Sequence, residues 1–409
     1  MKSDLSYPKE KLPVLLLENV HPAAVELLER EGYPVERVKG SLSEDELIAR
    51  VKDVAILGIR SATHVTEKVF AGAQHLIAVG AFCMGSNQID LRTAARKGVA
   101  VFNAPFSNTR SVVELVIGLI IMLNRSVFDR SRDLHAGVWN KTAEGAHEIR
   151  QKKLGIVGYG NIGSQLSVLA ESLGMEVYFY DAEEKLALGN AKKCSTLKEL
   201  LQTADIVTLH IDGRAVNKGL MGMKEFSSMK DRALFLNLSR GSVVDVPALA
   251  EALTSGKLGG AALDVFPDEP PHKGAPFTSP LQNLPNVILT PHIGGSTQEA
   301  QENIAQFVAE RLTRFMDEGS TALSVNLPNI TLPTLMNAHR FLHFHQNVPG
   351  VLAKINNILA SHSMNIVGQY LGTNDDIGYV ITDVMADYKK EVVAALKEIP
   401  ETVRFRTLY

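Results

Sequence analysis

The stretch GYGNIG at residues 158–163 constrains this chain more than any other, because of the frame in which it stands. The strand-like run LGIV precedes it, the helical pattern NIGSQLSVLAESLG follows from Asn161, and the next apolar run ends in Asp181, eighteen residues past the last glycine. Gly158 permits a tight turn, Gly160 lets the backbone approach a ligand, and Gly163 lets helix and strand pack closely. The helix start then offers unpaired N–H donors to an anion, and Asp181 can accept the two hydroxyls of a ribose. Such a strand-turn-helix cradles a dinucleotide pyrophosphate. A carboxylate at 181 repels a 2′-phosphate, so NAD is expected rather than NADP.

Length sets how many such units there are. At 409 residues the chain exceeds the roughly 250–300 at which one hydrophobic core stops growing, so two or three domains are expected. From about residue 12 to 105, apolar runs (PVLLLEN, VAILGIR, LIAVGAF, VAVFNAP) alternate with charged helical stretches, the rhythm of a parallel sheet covered by helices. A second βα series runs from LGIVGYG to NVILTPH through EVYFYD, ADIVTLH, ALFLNLS and AALDVF. Between them, the most apolar segment holds nine uninterrupted residues before Asn124, too few for a bilayer span of about 20, and reads as a buried helix. After His292 comes a long amphipathic helix, with capping-box spacing at Ser296 and Glu299 and one face formed by Ile304, Phe307, Val308, Leu312 and Phe315. Residues 325–334, VNLPNITLPT, carry two prolines and no charge and read as a linker. The last 70 or so residues follow the order strand, helix, strand, strand, helix, strand of a ferredoxin-like βαββαβ module.

Composition excludes several classes. Lys+Arg 42 against Asp+Glu 45 gives a net charge of −3 without a long single-sign block, which argues against nucleic acid or a membrane surface as partner. Cys83 and Cys194 make no Cys-x-x-Cys pair, and Pro13 and Glu18 interrupt the N-terminal apolar run, so neither a disulfide framework nor a signal peptide is expected. A cytoplasmic location fits, and no metal is expected.

In open α/β sheets, ligands lie outside the carboxyl ends of the strands. Three polar stretches fall at such ends: LNLSRGS with Arg240, DVFPDEP with Asp264 and Glu269, and LTPHIGGS with His292. Singly, each has a bland reading: a core histidine bonded to a carbonyl, a surface arginine, a loop acid. Together beside a dinucleotide loop they point to hydride transfer to or from an alcohol, which requires a proton relay. His292 takes the hydroxyl proton, Glu269 holds the imidazole and stabilises its charged form, and Arg240 grips a carboxylate through two N–H donors. Asp264 either contacts the nicotinamide end of the cofactor or tunes the charge of the site.

These motifs carry a resemblance. GYGNIG with Asp181, SRGSVVD, DVFPDEP and TPHIGGST resemble the signature series of the D-2-hydroxyacid dehydrogenases. NAPFSNTRSVVELVIGLI at 103–120 and the C-terminal module are similar to the branch of that family that acts on 3-phosphoglycerate and carries an ACT-type regulatory domain. The likeness covers essentially the whole chain. It implies an α/β architecture of two doubly wound parallel-sheet domains, a Rossmann NAD domain at 108–294 inserted into a flavodoxin-like substrate domain at 1–107 and 295–330, plus an ACT domain at 337–409. An active site in the cleft follows from that nesting.

The resemblance also implies site residues. Gly158, Gly160, Asn161, Ile162, Gly163, Asp181, His210, Leu238, Ser239, Asp264, Gly294 and Gly295 would hold NAD, with Arg240, Glu269 and His292 catalytic. Arg60, Ser61, Asn108 and Lys39 would serve the substrate, as would Lys141, a candidate to reach a neighbouring subunit's site. The implied reaction oxidises 3-phospho-D-glycerate to 3-phosphohydroxypyruvate at the head of the phosphorylated route to L-serine, with 2-oxoglutarate reduction as a side activity. L-serine would act as feedback effector on His345, Asn347 and Asn365 at a domain interface of a homo-oligomer, a tetramer.

One departure bears on the substrate. The branch pattern Arg-Ser-Arg-Thr-His stands here as RSATH, with Ala62 in place of a second arginine. A lost charge-assisted hydrogen bond is worth about 1.5–3 kcal/mol. A reductase for hydroxypyruvate or another 2-oxo acid therefore stays open, as does an NAD-sensing binding protein, against which the appended module and Arg60 argue. Glu269 disfavours formate oxidation, since similar enzymes for that substrate carry Gln there. In LHFHQNVPGVL, Leu342 and Phe344 share one strand face and His343, His345 and Asn347 the other, a face that without the resemblance reads as solvated.

Overall fold

A computed structural model describes residues 8–270, 274–333, 338–385 and 390–408; residues 1–7 of the N-terminal stretch, Thr334 of the linker, and the termini at 337 and 409 of the last domain lie outside them. Internal contacts divide the chain into two units, Met1–Ser107 with Gln301–Tyr409, and Asn108–Ala300. Gly294, which donates its N–H to Asp264, and Gly295, which packs on Asn108, lie within the second unit.

The first unit opens with five parallel strands, β1 (Val14–Leu16), β2 (Val35–Arg37), β3 (Ile56–Ile59), β4 (Ala78–Ala81) and β5 (Ala100–Phe102), in the order β2-β1-β3-β4-β5. Except for β2, these strands are buried along their whole length, as a sheet with helices on both faces requires. The order reverses direction between β1 and β3, which makes the carboxyl ends of those two strands the place for a ligand. β2 has no apolar run to announce it: Glu36 and Arg37 are exposed on an edge strand of three residues.

The second unit holds seven parallel strands: β6 (Lys153–Val157), β7 (Glu176–Tyr180), β8 (Lys192–Lys193), β9 (Ile206–Leu209), β10 (Ala233–Asn237), β11 (Leu258–Leu263) and β12 (Val287–Leu289). Their order, β12-β11-β10-β9-β6-β7-β8, is that of a Rossmann sheet extended by one strand. Two cores cover its faces, one built on Leu209, Phe226, Phe235 and Leu249, the other on Val116, Ile120, Ile156 and Leu166. The second core receives the apolar helix Thr109–Asn124. Among the described residues no single helix is long and apolar enough to cross a membrane.

The C-terminal module belongs to the first unit. Its strands β13 (Ala338–Gln346), β14 (Ile366–Thr373), β15 (Ile377–Met385) and β16 (Thr402–Leu408) form an antiparallel sheet in the order β14-β15-β13-β16, with helices Val351–Ser361 and Lys390–Lys397 completing the βαββαβ pattern. Phe341, Val351, Ile355 and Val380 make its own core. The opposite sheet face is not solvated: Leu342, Phe344, Tyr379 and Ile381 join Phe102 and Phe315 in the first unit's main core. Burying a phenylalanine completely is worth about 1.5–3 kcal/mol, so this face binds the module firmly to the sheet before it. Arg404 and Arg406 add bonds to the carbonyls of Leu76 and Met316, and Asp376 accepts from Arg92 and Arg96.

Three local expectations change. Residues 325–333 are not a loose linker; Leu327 and Ile330 are buried and Asn326 bonds to the backbone of Val99 and Val101. The helix Gln298–Glu318 does bury Ile304, Val308, Leu312 and Phe315, but its cap is Thr297, whose Oγ1 accepts from Ala300, while the Ser296 N–H turns back to Ile293. His343 and His345 are buried rather than solvated, because the helices of the module cover their sheet face.

Candidate active site

The glycine loop sits between β6 and the helix Asn161–Ser172, as its spacing predicts. Gly158 has φ +91, and a Cβ there would collide with the carbonyl of His210 at the end of β9. A Cβ at Gly163 would collide with the carbonyl of Gly158, so helix and loop can be this close only without side chains. At Gly160 nothing lies in the space a Cβ would fill, and no side chain caps the helix there, so the N–H groups of Asn161, Ile162 and Gly163 head an open anion cradle. Asp181 accepts from Tyr159 N (2.7 Å) and Glu183 N (2.9 Å), one donor per oxygen, which orients it and leaves acceptor capacity for ribose hydroxyls.

His210 is kept neutral: burial pushes its pKa down to about 3, its Nε2 meets Thr208 Oγ1 at 3.0 Å, and its Nδ1 is buried without a partner. Asn108 Oδ1 is likewise buried and unpartnered. A neutral dinucleotide end offers partners for such atoms, and the open cradle accommodates its pyrophosphate, so the residues fit NAD.

The three strand-end loops meet. β10 ends at Asn237, whose buried amide accepts from Ser239 N and Oγ and donates to the carbonyl of Arg240, folding the turn that presents Arg240. Leu238 and Ser239 are buried beneath that turn. Gly241 follows because any Cβ there would overlap the backbone of Phe266, so the Arg240 turn lies against the loop that carries Glu269. Glu269 Oε1 accepts from Phe266 N at 3.2 Å, which aims Oε2 at His292 Nδ1, 2.8 Å away.

The electrostatics of this pair are mutual. The hydrogen bond to Glu269 raises the pKa of His292, opposed by partial burial. Burial alone would raise Glu269, but the hydrogen bond and charge of His292, the Phe266 N–H and the charge of Arg240 outweigh it, and its carboxyl is held below the usual range. With Nδ1 committed to the carboxylate, His292 Nε2 is the atom left to exchange a proton. The ring is half exposed and the backbone at His292 is left-handed, φ +54.

Asp264 also holds a neighbouring loop. It is buried, and its two oxygens accept from Thr290 Oγ1 (2.5 Å), Ile293 N (2.8 Å) and Gly294 N (2.7 Å). The carboxylate therefore clamps the loop that carries His292 in its unusual backbone conformation. Neither Thr290 nor Asn237 is in the sequence-derived set, although a lone Asn at the end of ALFLN was a legible signal.

In the first unit, Arg60 and Ser61 follow β3 and Lys39 follows β2, while Lys141 is exposed in the second unit. In the C-terminal module, His345 Nδ1 bonds to the carbonyl of Gln346 and Asn347 donates to the carbonyl of Asn374, but Asn365 does not join them. His345 pairs with Gly378 on β15, whereas Asn365 accepts from Met385 N seven residues further along that strand, about 24 Å at about 3.4 Å per residue.

Residues 117–294 match the model of the D-isomer specific 2-hydroxyacid dehydrogenase NAD binding domain, and residues 341–404 that of the AHAS small subunit-like ACT domain. The chain is 52% identical over 408 residues to D-3-phosphoglycerate dehydrogenase of Escherichia coli strain K12, covering 99% of each, and 50% identical to that of Haemophilus influenzae over the whole of both chains. A protein of known crystal structure from Thermus thermophilus superposes with a TM-score of 0.67 at 29% identity, covering 74% of this chain and 96% of that one.

Proposed function

The chain belongs to the D-isomer specific 2-hydroxyacid dehydrogenase family, among its D-3-phosphoglycerate dehydrogenases, and on that premise we propose that it oxidises 3-phospho-D-glycerate to 3-phosphohydroxypyruvate with NAD, opening a route to L-serine. The observation that carries the reading is the His292 Nδ1 to Glu269 contact of 2.8 Å, which leaves Nε2 as the proton acceptor at a strand end on the same edge of the sheet as the dinucleotide cradle. The nicotinamide ring, when bound, supplies the hydride acceptor. His292 Nε2 accepts the hydroxyl proton as the C–H bond breaks and the carbonyl forms, and Glu269 stabilises the imidazolium that results. Arg240 holds the substrate carboxylate in a two-pronged grip. Asp264 and Asn237 keep the His292 and Arg240 turns in shape.

The phosphate is assigned to Arg60 and Ser61, with Lys39 past the end of β2, on the other side of β1, and Lys141 as further cations. Ala62 favours a second reading, relaxed selectivity toward unphosphorylated 2-oxo acids such as hydroxypyruvate or 2-oxoglutarate: it has no side-chain donor, and its N–H is taken by Glu18. L-serine is the proposed effector of the C-terminal module. Since one chain separates Asn365 from His345 and Asn347 by the length of β15, a site using all three must be shared by two copies. Exposed Val367 and Leu371 on the edge strand β14, and exposed Phe128, Leu134, Val138 and Trp139 in the second unit, supply two separate apolar surfaces for association, which suits a tetramer working in the cytoplasm.

One assay tests the reading. NADH formation from 3-phosphoglycerate is expected, reduced by serine, with a raised KM in Arg60→Ala. No NADH from any 2-hydroxy acid would overturn the enzyme assignment, and an unchanged KM would remove Arg60 from the phosphate site.

A further inference from the structure

Arg60 leaves the carboxyl end of β3, and the loop it begins is held by a residue from another strand. Glu18, just past the end of β1, accepts the N–H groups of Arg60 (3.0 Å) and Thr63 (2.9 Å) on Oε1 and of Ala62 (2.9 Å) on Oε2. Its own N–H donates to the carbonyl of Gly40 at 3.0 Å, and the next N–H, of Asn19, reaches the carbonyl of Val38. Lys39 lies between those two carbonyls. β1 is flanked by β2 and β3, so this one residue ties together the strand-end segments that carry Lys39 and Arg60, beside the point where the strand order reverses.

Two features set this apart from an ordinary loop contact. Glu18 and Asn19 have φ of +60 and +52, a conformation unfavourable for residues with a Cβ and retained only where the surroundings require it. A loop at a strand end also offers its N–H groups to anions, yet here three of them are spent on a carboxylate. Anion recognition at this loop therefore falls to side chains, chiefly the guanidinium of Arg60, and the direction of that side chain depends on a backbone that Glu18 fixes.

We infer that Glu18 is a positioning residue for phosphate recognition, acting through the Arg60 loop without touching the substrate. The inference rests on the phosphate role proposed for Arg60. Glu18→Gln keeps the shape of the side chain but sets an amide NH2 against at least one backbone N–H, where a carboxylate oxygen had accepted.

The test measures steady-state kinetics of Glu18→Gln, Arg60→Ala and the double variant with 3-phosphoglycerate, and with D-glycerate, which lacks the phosphate. Glu18→Gln should raise KM for 3-phosphoglycerate about tenfold or more, with kcat, KM for NAD and the D-glycerate kinetics nearly unchanged. The double variant should lose little beyond Arg60→Ala, since both changes remove one interaction. Equal losses on both substrates, or additive losses in the double variant, would overturn the inference. So would an unchanged KM in Glu18→Gln beside a raised one in Arg60→Ala. An unchanged KM in Arg60→Ala overturns the phosphate reading itself, and this inference with it. If Glu18→Gln does not fold, Glu18→Asp, which keeps the charge but withdraws it by one methylene, is read by the same criteria.

Discussion

At the scale of single residues, chemistry is set by which atom each side chain has left over. His292 commits Nδ1 to Glu269 and keeps Nε2; Asp264 commits both oxygens to the loop that carries His292. The pair sets the pH dependence of the reaction. Oxidation needs neutral His292, so the rate should rise as pH passes through a histidine pKa that Glu269 has raised above its ordinary value near 6.5. In Glu269→Gln the acidic limb of kcat/KM should move to lower pH and the plateau should fall, because the imidazolium loses its counter-charge; a limb that stays in place would separate Glu269 from the relay. The same shifts act on stability. The histidine's share is whole below its unfolded pKa and fades as pH rises through the raised one, while the glutamate's is whole above its unfolded pKa and fades as pH falls through the lowered one. Their stabilisation is thus complete between about pH 4.3 and 6.5.

At the scale of elements, a site this precise is built from turns that cannot accept a side chain. Gly241 lets the Arg240 turn rest on the backbone of Phe266, one residue from the proline that starts the Glu269 loop. Gly241→Ala should therefore force the two loops apart, with kcat falling more than KM for NAD rises and an overpacking cost of about 1–3 kcal/mol in unfolding free energy; NAD binding by fluorescence and a denaturant melt separate the two effects. The strands were legible wherever a parallel sheet buries both faces, since burial writes Val, Ile and Leu in unbroken runs. β2 and the two-residue β8 were not legible, because a short edge strand has no such run. The cap at Thr297 was missed because Ser296 and Thr297 offer the same chemistry one residue apart, and only backbone direction chooses between them.

At the scale of the molecule, the proposed regulation by serine becomes a question of copies. His345 and Asn365 stand at opposite ends of β15, so a serine site drawing on both needs residues from two chains. His345→Ala and Asn365→Ala homo-oligomers should each lose serine inhibition. Mixed oligomers should partly recover it, because a pair of unlike chains contains one shared site with neither substitution. Mixtures as insensitive as their parents would mean that the two residues do not act in one shared site.

The sequence by itself determined what depends on spacing along the chain: the glycine turn, the strand ends, the βαββαβ order, and the place of Arg240, Glu269 and His292 in the loops past those ends. Tertiary structure alone decided what depends on which loops become neighbours. It turned Asp264 inward as a clamp and packed the proline-bearing linker into a core. It also set Glu18 beneath a loop more than 40 residues away. The reason is physical: periodicity and turn chemistry are local, whereas a hydrogen-bond partner is selected by the packing of the whole sheet.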